Sequence, residues 1–80
     1  MNVGTLVKLR ILELCRKREI SVNKPATISG VTQSTLNNII SGRNNSTTIS
    51  TIKKLCDGLE ITLGDFFSTV EFDNLEQEIK

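Results

Sequence analysis

Eighty residues, a net charge of +1, no histidine and only three aromatic residues, all phenylalanine, leave room for one small domain and few kinds of chemistry. No apolar run is long enough to span a bilayer and the N-terminus lacks the basic, apolar, small-residue order of a signal peptide, so the cytoplasm is the expected location. Without histidine the usual general base and zinc ligand are missing, Cys15 and Cys56 lie far apart and read as buried thiols, and three phenylalanines are too few to stack single-stranded bases.

Helical periodicity dominates and strand alternation is absent, so the chain reads as all-α. Helix 1 is expected from Val3 to Arg18, with Val3, Val7, Ile11 and Leu14 as its core stripe. Leu6, Leu9 and Leu12 wind onto its opposite side and ask for a second cover. Cys15–Arg18 is a short basic cluster of the kind that suits a helix C-terminus. Ser21 is the expected N-cap of helix 2, with Ile20 and Pro25 as a staple and a late start imposed by the missing N–H of Pro25. That helix should end near Ser29.

Gly30 then marks a sharp turn, and Thr32 caps helix 3, Gln33 to about Ser41, closed by Gly42. Leu36, Ile39 and Ile40 point one way. Gln33, Ser34, Asn37, Asn38 and Ser41 point mostly the other. A polar loop follows, in which the glycosylation pattern at Asn44 and Asn45 is a chance match in a chain with no secretory signal. Thr48 caps helix 4, with Ile49, Ile52, Leu55, Cys56 and Leu59 inward. Thr62 caps a short helix 5, "LGDFF". In the tail, Asp73 and Glu76 offer a capping box for a last helical turn, and Phe72, Leu75 and Ile79 share one face. Charge is uneven: residues 1–68 hold nine Lys/Arg against five Asp/Glu, and 69–80 hold four acids and one lysine. A mildly basic body with an acidic tail fits a nucleic-acid binder weakly.

Two short helices joined at a glycine, the second polar outside, make a helix-turn-helix. The outer face of helix 3 is informative in its composition. A face that only had to stay soluble would carry Glu, Lys and Arg, which are better helix formers. Asn37, Asn38, Ser34 and Thr35 all reduce helix propensity, and neutral hydrogen bonding at base edges explains why they are there.

These residues carry a family resemblance. Ser21, Ala26 and Gly30, Val31-Thr32, Ser34-Thr35-Leu36, Ser41-Gly42-Arg43 and Thr62-Leu63-Gly64-Asp65-Phe66-Phe67, in this order and spacing, resemble the phage repressor and Cro-type, or Xre-like, helix-turn-helix family over about residues 7–68. The resemblance implies a compact five-helix, repressor-like DNA-binding domain at 1–68, followed by an acidic amphipathic extension at 69–80, with helix 3 in the major groove. Carried over by position, Gln33, Ser34, Thr35 and Asn38 look like the base-reading set, with Asn37 as an addition. Thr32 looks like a phosphate contact through its hydroxyl and backbone N–H. Ser21 and Lys24 near the start of helix 2, and Arg43, Asn44, Asn45 and Ser46 in the loop, should flank the phosphates. Family members often carry glycine where this chain has Glu60, the expected left-handed residue after helix 4. Many pair an arginine late in helix 1 with a glutamate late in helix 3; the matching Cys15 and Ile40 are expected to touch as an apolar pair.

The leading expectation is a sequence-specific regulator of transcription, repressor in type, binding double-stranded DNA as a homodimer. The rival is a protein-binding, antitoxin-like module, favoured by the acidic tail. An enzyme has no support: no Gly-rich phosphate loop, triad or carboxylate pair is visible. No cofactor, metal, membrane or small-molecule substrate is implied.

Overall fold

A computed structural model describes residues 2–41 and 47–75. They form six helices: α1 Val3–Arg18, α2 Lys24–Ser29, α3 Gln33–Ser41, α4 Ile49–Gly58, α5 Leu63–Phe67 and α6 Val70–Asp73. The sixth lies in the tail and is one more than the resemblance implies.

The helix starts follow local chemistry. Asn2, Thr48, Thr62 and Thr69 cap α1, α4, α5 and α6, each side chain accepting a backbone N–H three residues on. Thr32 does the same for α3, accepting from the Thr35 N–H at 3.1 Å. Two expected starts need correction. Ser21 does not cap α2; its carbonyl accepts the Lys24 N–H in a turn, and the helix begins at Lys24 after Asn23, which makes no side-chain cap. The later start puts Pro25 in the first turn, where a missing N–H leaves nothing unpaired. The tail helix begins at Thr69, because Thr69 offers its hydroxyl to the Phe72 N–H, and Asp73 is its last residue. Glu76 and Ile79 lie outside the described residues.

Three helices end through a left-handed residue: Glu19 at φ 55°, Gly30 at 69° and Glu60 at 59°. After each, the next N–H reaches back to close the last turn, from Ile20 to Cys15 O, Val31 to Ala26 O and Ile61 to Cys56 O. Glu60 thus holds the place expected of it.

The core joins Val7, Ile11, Leu14 and Cys15 of α1, Ala26 of α2, Leu36 and Ile39 of α3, Ile52, Leu55 and Cys56 of α4, and Leu59 and Phe66 beyond them. Val3, Ile40 and Phe72 pack at its edge. Ile49 departs from the expected stripe and is 63% exposed. It opens α4 at its free end, and the buried positions begin at Ile52. The second face of helix 1 is covered in part by its own chain: α6 packs there, Leu6 is buried, Leu12 is half-buried and Leu9 stays 45% exposed. Phe72 seats this cover, its ring 4.9 Å from that of Phe67 in edge contact.

One long-range contact holds α5 to α1. Arg10 Nε donates to the Phe66 carbonyl at 2.8 Å and Nη2 to the Asp65 carbonyl at 2.7 Å, while Nη1 pairs with Glu13.

Both thiols are free and buried, Cys15 in the cluster against which Ile40 packs. Burial pushes both up from their ordinary range, and Asp57 adds to the effect at Cys56. A thiol reagent should therefore label neither Cys15 nor Cys56 in the folded protein, except at the rate of unfolding. Rapid native labelling of Cys15 would place it outside the core.

Candidate nucleic-acid interface

The two helices of the motif meet at Gly30, whose positive φ turns the chain between α2 and α3. Leu36 and Ile39 anchor α3 in the core, so its remaining side chains are turned outward by the period of the helix. Gln33, Ser34, Asn37 and Ser41 are exposed; Thr35 and Asn38 are half-buried at the flanks. No residue of α3 is charged. The expected base-reading residues therefore share one outward surface of neutral donors and acceptors.

The hydroxyls at the start of α3 are already committed. Thr32 accepts the Thr35 N–H and donates its own proton to Thr35 Oγ1 at 2.9 Å. Its hydroxyl proton is thus spent inside the protein. The Thr35 hydroxyl, accepting from Thr32, keeps its own proton to give.

Gln33 is tied across the motif. Its Nε2 donates to the backbone carbonyl of Asn23 at 3.1 Å, which links the first residue of α3 to the residue that opens α2. Sequence reasoning missed Asn23, and no sequence signal could have found it, because the acceptor is a main-chain oxygen.

Cations near this face are few. Ser21 and Lys24 are exposed at the start of α2. Arg18, at the end of α1, shares a shallow groove with Lys24 and Ile28, but Asp57 and Glu60 line the same groove and offset them. Arg43, Asn44, Asn45 and Ser46, expected to flank the phosphates, lie outside the described residues. No helix among the described residues is long and apolar enough to cross a membrane.

A model of the Cro/C1-type helix-turn-helix DNA-binding domain matches residues 10–71. Among solved structures, the crystal structure of prophage Lp1 protein 11 is similar at 34% identity and a TM-score of 0.82, over 94% of this chain and 100% of that one. No curated protein matches the chain.

Proposed function

Because the chain belongs to the Cro/C1-type helix-turn-helix DNA-binding family, we propose that it is a sequence-specific regulator of transcription, repressor in type, that lays α3 in the major groove of double-stranded DNA. The observation that carries the reading is the uncharged polar face of α3, where Gln33, Ser34, Thr35, Asn37 and Asn38 stand around an apolar anchor. Amides and hydroxyls both donate and accept, as base edges require. Thr32, Ser21, Lys24 and the loop Arg43–Ser46 hold the phosphates on either side, and the protein acts in the cytoplasm without catalysis. The prophage origin of the similar structure fits a phage-type regulator.

Selection of bound duplexes from a random pool tests the reading. Enrichment of one motif supports it. If no duplex is enriched at low salt, the protein-binding reading replaces it. On the selected site, Gln33→Ala or Asn38→Ala should cost about 1–3 kcal/mol and far less on random DNA. Equal losses on both would mean that these residues meet only phosphate.

With so few cations, one subunit holds DNA weakly, since each neutralised phosphate contributes only about 0.9 to the salt slope. The proposed active form is accordingly a homodimer reading two half-sites, built partly on the second face of helix 1, where Leu9 remains exposed, and on the tail. Deleting residues 69–80 should lower the melting temperature, because Leu6 loses its cover and Phe67 one of its two partner rings, and should shift the mass in solution to that of a monomer. A truncated chain unchanged in both mass and melting would show that the tail covers nothing.

A further inference from the structure

We propose that the recess between α1 and α6 binds a compact aliphatic cation, an alkylammonium or alkylguanidinium group, and that an occupant ties the tail helix to α1. The inference concerns residues outside α2 and α3 and does not depend on the DNA-binding reading.

The recess has a volume of about 110 Å³. Its apolar wall is made by Leu6 and Leu9 of α1 and Phe72 of α6. Leu6 is buried and Leu9 is exposed, so the recess has a closed floor and an open mouth. A cavity of about 150 Å³ holds benzene, so this one suits a stem of about four or five carbons.

The polar wall selects the charge of the occupant. Arg10 lines the recess, but its guanidinium is committed to the Phe66 carbonyl, the Asp65 carbonyl and Glu13. Arg10 and Glu13 offset each other. Glu71 also lines the recess, is exposed, and pairs with no cation among the described residues. Two carboxylates thus face one guanidinium, and one negative charge is left over. Thr69 adds a further acceptor, because its hydroxyl oxygen takes the Phe72 N–H at 3.3 Å and keeps a second lone pair.

An anion is repelled by Glu71. A neutral apolar body fills the floor but crowds water away from the Glu71 carboxylate without replacing it. A monocation on an apolar stem meets both demands: the stem lies along Leu6 and Leu9, and the head reaches the carboxylate. The ring of Phe72 adds an attraction for the same charge. Leu6 and Leu9 belong to α1, and Glu71 and Phe72 to α6, so an occupant touches both elements at once. Since α6 has only four residues, a group that bridges it to α1 strengthens a small contact. Binding to the folded state alone then raises the melting temperature.

The test is a titration of the full-length protein without DNA at low ionic strength, followed by backbone amide shifts. The probes are pentylammonium, pentanol, pentanoate and the blocked tripeptide acetyl-Ala-Lys-Ala-amide. Pentylammonium should give saturable shifts at residues 6–13 and 69–73, none in α3, with a Kd of about 0.1–1 mM, and a melting temperature that rises with its concentration. Pentanol should bind about fivefold more weakly, and pentanoate should give no shift. Glu71→Gln removes an exposed charge that holds nothing in the fold. It should weaken pentylammonium about three- to fivefold and leave pentanol unchanged. Asp57→Asn, in the groove beside α2, should alter neither. Leu9→Ser should weaken both. Tighter binding of free pentylammonium than of the tripeptide assigns the site to a small amine; the reverse order assigns it to a lysine presented by a protein. Equal binding of pentylammonium and pentanol, or pentylammonium binding that Glu71→Gln leaves intact, overturns the selection of a cation. Shifts spread over every exposed carboxylate, or no saturation at about 10 mM, overturn the site itself.

Discussion

Arg10→Met is expected to destabilise the fold by about 2–4 kcal/mol, which for a domain of this size lowers the melting temperature by about 10–20 °C. The Arg10 side chain is only 12% exposed and donates to the carbonyls of Asp65 and Phe66 near the end of α5, where the Asp65 carbonyl also accepts the Ser68 N–H at 3.3 Å. A hydrogen bond from a charged donor contributes about 1.5–3 kcal/mol, and here two run from one planar fork. Methionine keeps much of the volume and none of the donors. The variant also frees Glu13, whose carboxyl the Arg10 guanidinium holds below the usual range. The folded pKa is lowered, so the stability that Glu13 adds is present above its unfolded pKa and disappears as the pH falls through the folded one. At 36% exposure that share is small and screened. Arg10→Lys, which retains charge without the fork, should fall between wild type and Arg10→Met. Thermal melts of the three proteins at neutral pH check this; coincident melts would mean that α5 does not depend on Arg10.

A comparable loss should follow Gly58→Val, about 3 kcal/mol, with Gly58→Ala at roughly half of it. α2 and α4 cross where Gly58 faces Ser29. A Cβ on Gly58 would stand 2.1 Å from Ser29 Oγ and 2.9 Å from both Ser29 Cα and Cβ. Helix propensity alone argues the other way, since alanine in a helix is favoured over glycine by about 1 kcal/mol. The overlap wins because one of the crowded atoms is backbone, and moving it moves α2. Ser29→Gly in the Gly58→Ala background removes Oγ and Cβ and should recover part of the loss. Urea unfolding of the single and double variants provides the measurement. If Gly58→Ala were more stable than wild type, the close approach would not exist in solution. Gly30 is the contrast: no atom lies within 4 Å of a Cβ there, and its requirement is the positive φ alone.

Much of this protein was legible in the chain by itself. The extents of α1 and α3, the caps at Thr32, Thr48 and Thr62, the turn at Gly30 and the buried stripes of α1 and α3 all follow from local rules, whereas the left-handed Glu60 was implied by the family resemblance. A cap needs only a hydroxyl and an N–H three residues away, and a stripe needs only the helical period. The outward surface of α3 was legible for the same reason, because fixing Leu36 and Ile39 inward turns its polar residues out.

Most of what the chain alone did not determine depends on contacts between separate helices. Ser21 looks like a cap, yet α2 starts at Lys24, where the turn from Ser21 and the ring of Pro25 can both be accommodated. Ile49 continues the periodic stripe, yet the core does not reach it. Gly58 is the last residue of α4, and only the packed structure shows that it also leaves a gap for α2. Only the packed structure shows that Arg10 reaches the end of a helix 55 residues away. The tether between Gln33 and Asn23 joins an amide to a main-chain oxygen, which every residue possesses and no sequence pattern marks. Local propensity acts over three or four residues and is written in residue type. Close approach, burial and main-chain acceptors arise only when separate helices are brought together, so the tertiary structure alone decides them.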